Sequence, residues 1–475
     1  MPRSVIMPLK LQQEICAHRK DADMGFRKDF VWGAATSSYQ VEGAAREGGK
    51  GRNIWDVFCH TPGKIKDGSN ADTACDSYHH VAEDVALMKE LGLRAYRFSV
   101  DWARVLPEGT GTPNEEGLAY YSRLIDALLS SGITPYLTLY HWELPQALQE
   151  RGGFLSPDFP DWFAGYAGLV AERFSDRVTH YFTFNEPQCT IGLGLGDGVH
   201  APGLTLSPQE TVPAAHHLLL AHGAAVQALR AAAKQPIQIG FAPTSGQPYP
   251  LTESPADIEA ARRSLFAIPE GRRWYWNVPW FSDPVILGRY PAEGLARLER
   301  FLPRGWEQDL AKICQPLDFY GQNIYNGWCV RAGEDKNPVT VDRKPGSART
   351  ATGWPVTPKA LYWGPRFLYE RYQKPLYITE NGISCCDWVS LDGKVHDPGR
   401  IDFTQRYLRE LRRAADEGVD VRGYFHWSLL DNFEWADGYT QRFGMIYVDY
   451  ETQQRIPKDS FYWYQQVIRT NGASL

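Results

Sequence analysis

The chain has 475 residues, 43% hydrophobic and 22% charged, with a formal net charge of −6 and a pI near 6.1. That composition describes an ordinary soluble globular protein, and its mild acidity without a basic tract argues against a nucleic-acid partner. No apolar run reaches membrane-spanning length, since the best, 133–140, is the size of a strand.

Residues 1–23 lack the basic start, apolar middle and small-residue cleavage site of a secretory signal. They carry mixed charge without an apolar stripe, and read as a poorly ordered N-terminal extension ahead of a single domain over 24–475. From there short β-rich runs alternate with helical stretches. The strand expectations are 30–36, 95–100, 134–141, 180–185, 237–242, 317–325, 376–379 and 421–428. Between them Val81, Val85 and Met88 recur at i, i+4, i+7, as do Tyr407, Leu411 and Ala414, the spacing of amphipathic helices. Gly92, Gly132 and Gly418 follow helical stretches where C-terminal caps belong. Eight alternations with no linker predict an α/β fold, a single (β/α)8 TIM barrel. The rival, a doubly wound open sheet, would carry a glycine-rich phosphate loop after an early strand, and none is present. Three long insertions, 244–284, 328–358 and 383–399, are rich in Gly, Pro, Asp and Trp, as expected of loops walling a pocket at the carboxyl-terminal rim.

Eight cysteines scattered over the chain make no disulfide framework, and no Cys/His spacing suggests zinc. The expectation is a reduced, cytoplasmic protein with no metal and no cofactor. The 16 Trp, 25 Tyr and 21 Phe suit either a large core or platforms for the C–H faces of sugar rings; position must decide between them.

The fourth strand ends Thr183-Phe184-Asn185-Glu186-Pro187 and the seventh ends Tyr377-Ile378-Thr379-Glu380-Asn381-Gly382. Either glutamate alone could be a buried structural carboxylate paired with an arginine. Two of them, at equivalent heights on facing strands of one barrel, favour catalysis. Glycoside cleavage needs such a pair: one carboxyl protonates the leaving oxygen, and the other meets the positive charge growing at the anomeric carbon. Their surroundings must split the two pKa values.

These motifs are joined by Phe30-Val-Trp-Gly-Ala-Ala-Thr-Ser-Ser-Tyr-Gln-Val-Glu-Gly-Ala44, Tyr96-Arg-Phe-Ser99, Tyr140-His-Trp142 and Gly423-Tyr-Phe-His-Trp-Ser-Leu-Leu-Asp-Asn-Phe-Glu-Trp435. Together, over 30–468, the sequence resembles glycoside hydrolase family 1, the β-glucosidases, in their bacterial form. The resemblance implies a retaining β-glycosidase acting on small β-glycosides, most of all β-glucosides and cello-oligosaccharides, with Glu186 as acid/base and Glu380 as nucleophile. Retention implies carboxyls about 5–5.5 Å apart. By the same resemblance Arg97 lies beneath the nucleophile and keeps it ionised, Tyr325 hydrogen-bonds it, and Asn323 belongs to the same strand-six motif. Asn185 is implied to hold the sugar 2-hydroxyl. Gln40, His141, Trp142, Trp427, Glu434, Trp435 and Phe443 complete the pocket for the non-reducing sugar, and Trp354 stacks the leaving group.

Several points stay open on the sequence. Arg97 and Tyr325 could instead serve barrel-core hydrogen bonding, and Trp354 could be a loop anchor. The strand-six motif has Ile324 where many relatives have a second aromatic; Ile324 is expected to turn into packing and leave Tyr325 in register. Cys189 falls at a position that, in the family, faces the outer part of the pocket and varies. A transglycosidase would use the same residues, whereas a non-catalytic sugar-binding barrel would be expected to lose one of the two carboxylates. Oligomeric state is not legible.

Overall fold

A computed structural model describes residues 25–475; the expected N-terminal extension lies outside the described residues. Eight strands form one parallel sheet: β1 Val31–Ala35, β2 Ala95–Ser99, β3 Thr134–Tyr140, β4 His180–Asn185, β5 Gln238–Ala242, β6 Tyr320–Asn323, β7 Leu376–Asn381 and β8 Val421–Trp427. The sheet runs β5-β4-β3-β2-β1-β8-β7-β6. It closes through a sparse seam in which Asp318 N–H donates to the Ile239 carbonyl at 3.0 Å and Asn323 N–H to the Pro243 carbonyl at 3.0 Å. A parallel bridge between Thr244 and Asn323 finishes the barrel.

The main helices that follow the successive strands are α1 Val81–Leu91, α2 Glu115–Ser130, α3 Phe159–Phe174, α4 Pro208–Ala232, α5 Trp306–Ile313, α6 Ala360–Tyr372, α7 Pro398–Asp416 and α8 Asp459–Arg469. Val85, Met88 and Leu91 of α1 and Tyr407, Leu411 and Ala414 of α7 are buried against the barrel, because a 3.6-residue period puts them on one face. The three glycines expected as caps all have left-handed φ, +79°, +74° and +97° for Gly92, Gly132 and Gly418.

Two cores result. A large outer core fills the space between sheet and helices. A smaller inner one stacks Ala35, Ala95, Tyr136, Phe182, Phe319, Tyr377 and Phe425 inside the barrel, so its interior is a packed plug. The pocket can therefore open only at the carboxyl-terminal rim. Two insertions expected as loops carry structure of their own: Tyr249–Pro250, Cys329–Ala332 and Pro338–Val341 form a three-stranded sheet. Main-chain pairing of one insertion to the other stiffens this side of the rim.

β6 is shorter than expected and β7 longer. Past Asn323 the chain leaves the sheet, and Ile324 N–H reaches across to the Glu380 carbonyl at 2.9 Å, which draws Glu380 and Asn381 into β7.

Candidate active site

Strict alternation along β4 would put Phe184 inside the barrel beside Phe182 and turn Asn185 outward. Instead β4 advances three residues, Phe182 to Asn185, while β5 advances two, Gly240 to Ala242. Phe184 consequently packs outward on Phe163 of α3, ring centroids 4.4 Å apart, and Asn185 points inward. β7 bulges in the same way, with Ile378 to Asn381 opposite Tyr424 to His426 on β8. A bulge re-aims a side chain, and here each one turns the end of a carboxylate-bearing strand into the barrel mouth. Glu186 completes its turn with φ +45°, a conformation that costs a non-glycine residue about 1–3 kcal/mol and is characteristic of functional sites. Trp142 and Trp435 share that strain, at φ +86° and +49°.

Arg97 stands on top of the inner plug, its guanidinium 5.0 Å from the centroid of the Phe182 ring. Fully buried, it donates to Glu380 Oε1 at 2.7 Å and to Asn185 Oδ1 at 2.6 Å. Because arginine only donates, this fixes the Asn185 amide: its Nδ2 faces His141 Nε2 at 3.0 Å, leaving the His141 proton on Nδ1. Burial, reinforced by Arg97, pushes His141 well below its usual value, so the ring is neutral. Asn323 is fixed in turn. Its Oδ1 accepts from the Thr379 hydroxyl at 2.6 Å, and its Nδ2 donates to Asn185 Oδ1 at 3.0 Å and to Glu186 Oε1 at 2.7 Å. Tyr325 donates to Glu380 Oε2 at 2.7 Å, while Ile324 is fully buried in the outer core.

The two carboxyls thus have unlike neighbours. Glu380 meets a cation and a phenol; Glu186 meets an amide and the Cys189 thiol, whose Sγ lies 3.0 Å from Oε2. Burial pushes Glu380 up to about 7, Arg97 pulls against it, the Glu186 charge adds to the rise, and the hydrogen bond from Tyr325 lowers it again. Glu186 is also raised by burial, with the bonds from Cys189 and Asn323 acting against that rise. Arg97 and Tyr325 both favour the ionised form of Glu380, as expected, and burial acts against them. The pair titrates as a unit, and when it holds one proton the remaining charge is best placed on the Arg97 side.

Above them opens a pocket of about 290 Å3. His141, Trp142, Glu186, Tyr325, Trp354, Glu380, Trp427, Glu434, Trp435 and Phe443 all line it. Arg97, Asn185, Asn323 and Gln40 stand behind the lining, fully buried. The Gln40 amide is taken by Asn432 Oδ1 at 3.0 Å and the Phe433 carbonyl at 2.9 Å, with Glu434 Oε2 at 3.4 Å. Burial, joined by the charges of Asp437, Glu380 and Glu186, pushes Glu434 up to about 8. Trp427 forms the floor beside His141, centroids 5.7 Å apart and nearly parallel. Trp354 is half-exposed at the mouth, 5.2 Å from the Tyr325 ring.

The lining also includes residues that the sequence did not single out: Leu193, His200, Thr244, Ser245, Gly246, Trp276, Asn326, Ala436 and Asp437. They come from irregular segments and from a π-helical turn, Thr190–Gly196. Periodicity says nothing about such places; the density of Gly and Trp was the one usable clue. Burial pulls His200 down to about 3, and its ring packs 5.3 Å from both Trp55 and Trp142. Among the described residues no group of three or more His, Cys, Asp or Glu side chains is disposed to hold a metal ion, and no helix is long and apolar enough to cross a membrane.

Paired carboxyls at facing strand ends, over a barrel plug and under a wall of indoles, define the class of barrel enzymes that cleave glycosides. Residues 22–473 match glycosyl hydrolase family 1. The chain belongs to that family. It is 43% identical over 448 residues to β-glucosidase A of Thermotoga maritima, covering 94% of this chain and 98% of that protein. It is 44% identical over 449 residues to a 1,4-β-D-glucan glucohydrolase of Thermotoga neapolitana, covering 94% and 99%. The solved Thermotoga maritima β-glucosidase in complex with isofagomine lactam superposes with a TM-score of 0.86 at 43% identity, over 94% of this chain and 99% of that one.

Proposed function

We propose that this protein, a β-glucosidase of family 1, removes terminal β-D-glucosyl residues from small β-glucosides and cello-oligosaccharides by double displacement, with Glu380 as nucleophile and Glu186 as acid/base. The observation that carries the role assignment is the unlike setting of the two carboxyls: Arg97 and Tyr325 donate to Glu380 at 2.7 Å each, while Glu186 has only neutral donors. In the first step a Glu380 oxygen attacks the anomeric carbon as Glu186 gives its proton to the departing oxygen. In the second, Glu186 takes a proton from water, the hydroxide displaces Glu380, and the starting configuration is restored. Asn185, oriented by Arg97, meets the 2-hydroxyl. His141, Glu434 and Trp435 hold the remaining hydroxyls on the Trp427 floor, beside Trp142 and Phe443, with Gln40 bonded to Glu434 from behind, and Trp354 takes the leaving group at the mouth. The reduced, cytoplasmic setting inferred from cysteine usage belongs to the same proposal.

Azide trapping tests the roles. Glu380→Gly is expected to lose hydrolysis and, with azide, to form the α-glycosyl azide. Glu186→Ala is expected to slow poor leaving groups far more than good ones and to form the β-azide. The opposite stereochemistry would exchange the two glutamates.

A further inference from the structure

Cys189 ends the three-residue helix Pro187–Cys189 that directly follows Glu186, and its backbone N–H donates to the Glu186 carbonyl at 2.9 Å. Its side chain is buried and lines the pocket. The Sγ–Oε2 contact of 3.0 Å matters because of what holds the other oxygen. Oε1 faces Asn323 Nδ2 at 2.7 Å, and that amide cannot be turned, since its Oδ1 receives the Thr379 hydroxyl and its Nδ2 also serves Asn185 Oδ1. An N–H pointing at Oε1 favours that oxygen as the carbonyl-type acceptor and so disfavours a proton on it. The proton of neutral Glu186 therefore sits on Oε2, where the thiol is.

We infer that Cys189 is a positioning residue for the proton that Glu186 delivers and recovers, an inference that rests on Glu186 being the acid/base. A thiol both donates and accepts weakly. When Glu186 is ionised, S–H donates to Oε2; when Glu186 is protonated, the thiol turns or accepts, and the Oε2 proton is free to pass to the departing glycosidic oxygen. The hydrogen bond from the thiol to Oε2 forms again as the carboxylate appears, and is released when water returns a proton to Oε2, the thiol keeping its own proton throughout. A stronger donor at this position would hold the carboxylate ionised and weaken the acid, whereas no donor would make it harder to ionise. The Thr244 hydroxyl, which donates to the Asn323 carbonyl at 3.3 Å, also acts to lower the same carboxyl. The other groups that bear on Glu186 come from other elements: Arg97 of β2, Glu380 of β7, Tyr325 after β6 and Glu434 after β8. A change at Cys189 leaves all of them in place.

The test compares pH profiles of kcat/KM for wild type, Cys189→Ser and Cys189→Ala on an aryl glucoside with a poor leaving group. Cys189→Ala removes the donor and is expected to move the alkaline limb to higher pH, by a few tenths to about one unit. Cys189→Ser is expected to move it the other way. Coincident limbs in the three enzymes overturn the inference, as does a parallel loss of rate in both variants with limbs unmoved, which is the mark of a purely structural role. Glu186→Ala serves as the control. If it slows poor leaving groups selectively while the limbs coincide, only the role of Cys189 fails; if it does not, the acid/base assignment itself falls.

Discussion

Protonation at single residues sets the pH response. With Glu380 pushed up to about 7 as part of its coupled pair with Glu186, the ionised nucleophile accumulates only as pH rises through neutrality, so the acid limb of kcat/KM is expected near 7 rather than near an ordinary carboxyl value. The Tyr325 hydroxyl favours the charged form by donating to Oε2. Tyr325→Phe removes that bond and should push the acid limb to still higher pH, with kcat/KM at pH 6 falling more than at pH 8. A limb that stays put or moves down would show that Tyr325 does not tune the nucleophile. Glu434, proposed above as a sugar ligand, bears on which sugars are expected to enter. Pushed up to about 8, it is largely protonated at neutral pH, so rejection of a sugar 6-phosphate does not rest on its charge. It rests on Trp435 filling the space and on a lining among the described residues that contains no Lys or Arg. A phosphate in such a place loses its hydration without gaining a cation. The specificity constant for a β-glucoside is expected to exceed that for its 6-phosphate by about 100-fold or more, and a preference for the phosphate would overturn this view of the pocket.

At the level of elements, strand ends and close backbone approaches hold the site. The Glu380 motif ends in Gly382, where a Cβ would sit 1.7 Å from the Trp427 carbonyl oxygen. β7 and the end of β8 can touch there only because that residue is glycine. Gly92, at the cap of α1, is the useful contrast. Its φ is +79°, but a Cβ would meet nothing nearer than 3.9 Å. Gly92→Ala should cost about 1 kcal/mol of stability through backbone strain alone and leave kinetics untouched. Gly382→Ala must displace the floor of the pocket, so it should cost about 1–3 kcal/mol or more and also raise KM. Thermal melts and steady-state kinetics on the two variants separate these effects. Equal kinetics would show that the Gly382 contact has no bearing on the floor.

Across the whole molecule, a buried charge network ties the last two barrel loops to α8. Lys458 Nζ reaches Asp387 Oδ2 at 2.6 Å and Asp431 Oδ1 at 2.7 Å. Arg400 bonds Asp387 at 2.7 Å and also Asp397, and Arg442 bonds Asp431 at 2.7 Å. Asp431 begins the stretch that carries Glu434 and Trp435, so the network sets the height of this pocket-lining loop. Removing one member of a buried pair leaves its partner's charge uncompensated, at about 3–5 kcal/mol. Arg400 and Arg442 remain to share that charge, which puts Lys458→Met at the lower end. Lys66→Met, which breaks an exposed pair with Asp437, should cost less than about 1 kcal/mol. Chemical denaturation of the two variants checks the difference; similar losses would mean the network is not a structural tie.

The sequence by itself determined the eight-fold alternation, the helix faces, the left-handed caps and the positions of the residues that gather at one rim. It could do so because period, glycine and strand-end chemistry are local properties. It also carried the family, since motifs such as Thr183-Phe184-Asn185-Glu186-Pro187 are long enough to be specific. What it left undecided was orientation. Alternation alone would have turned Asn185 and Glu380 away from the barrel mouth, and only the mismatch in advance between β4 and β5, and between β7 and its two neighbours, turns them in. Whether Gln40 touches the cavity or stands behind it, and which neighbours bury Glu380 deeply enough to outweigh Arg97, likewise depends on segments far apart in the chain. Those properties belong to the closed barrel, because a register shift and a desolvated charge exist only once the other strands are in place.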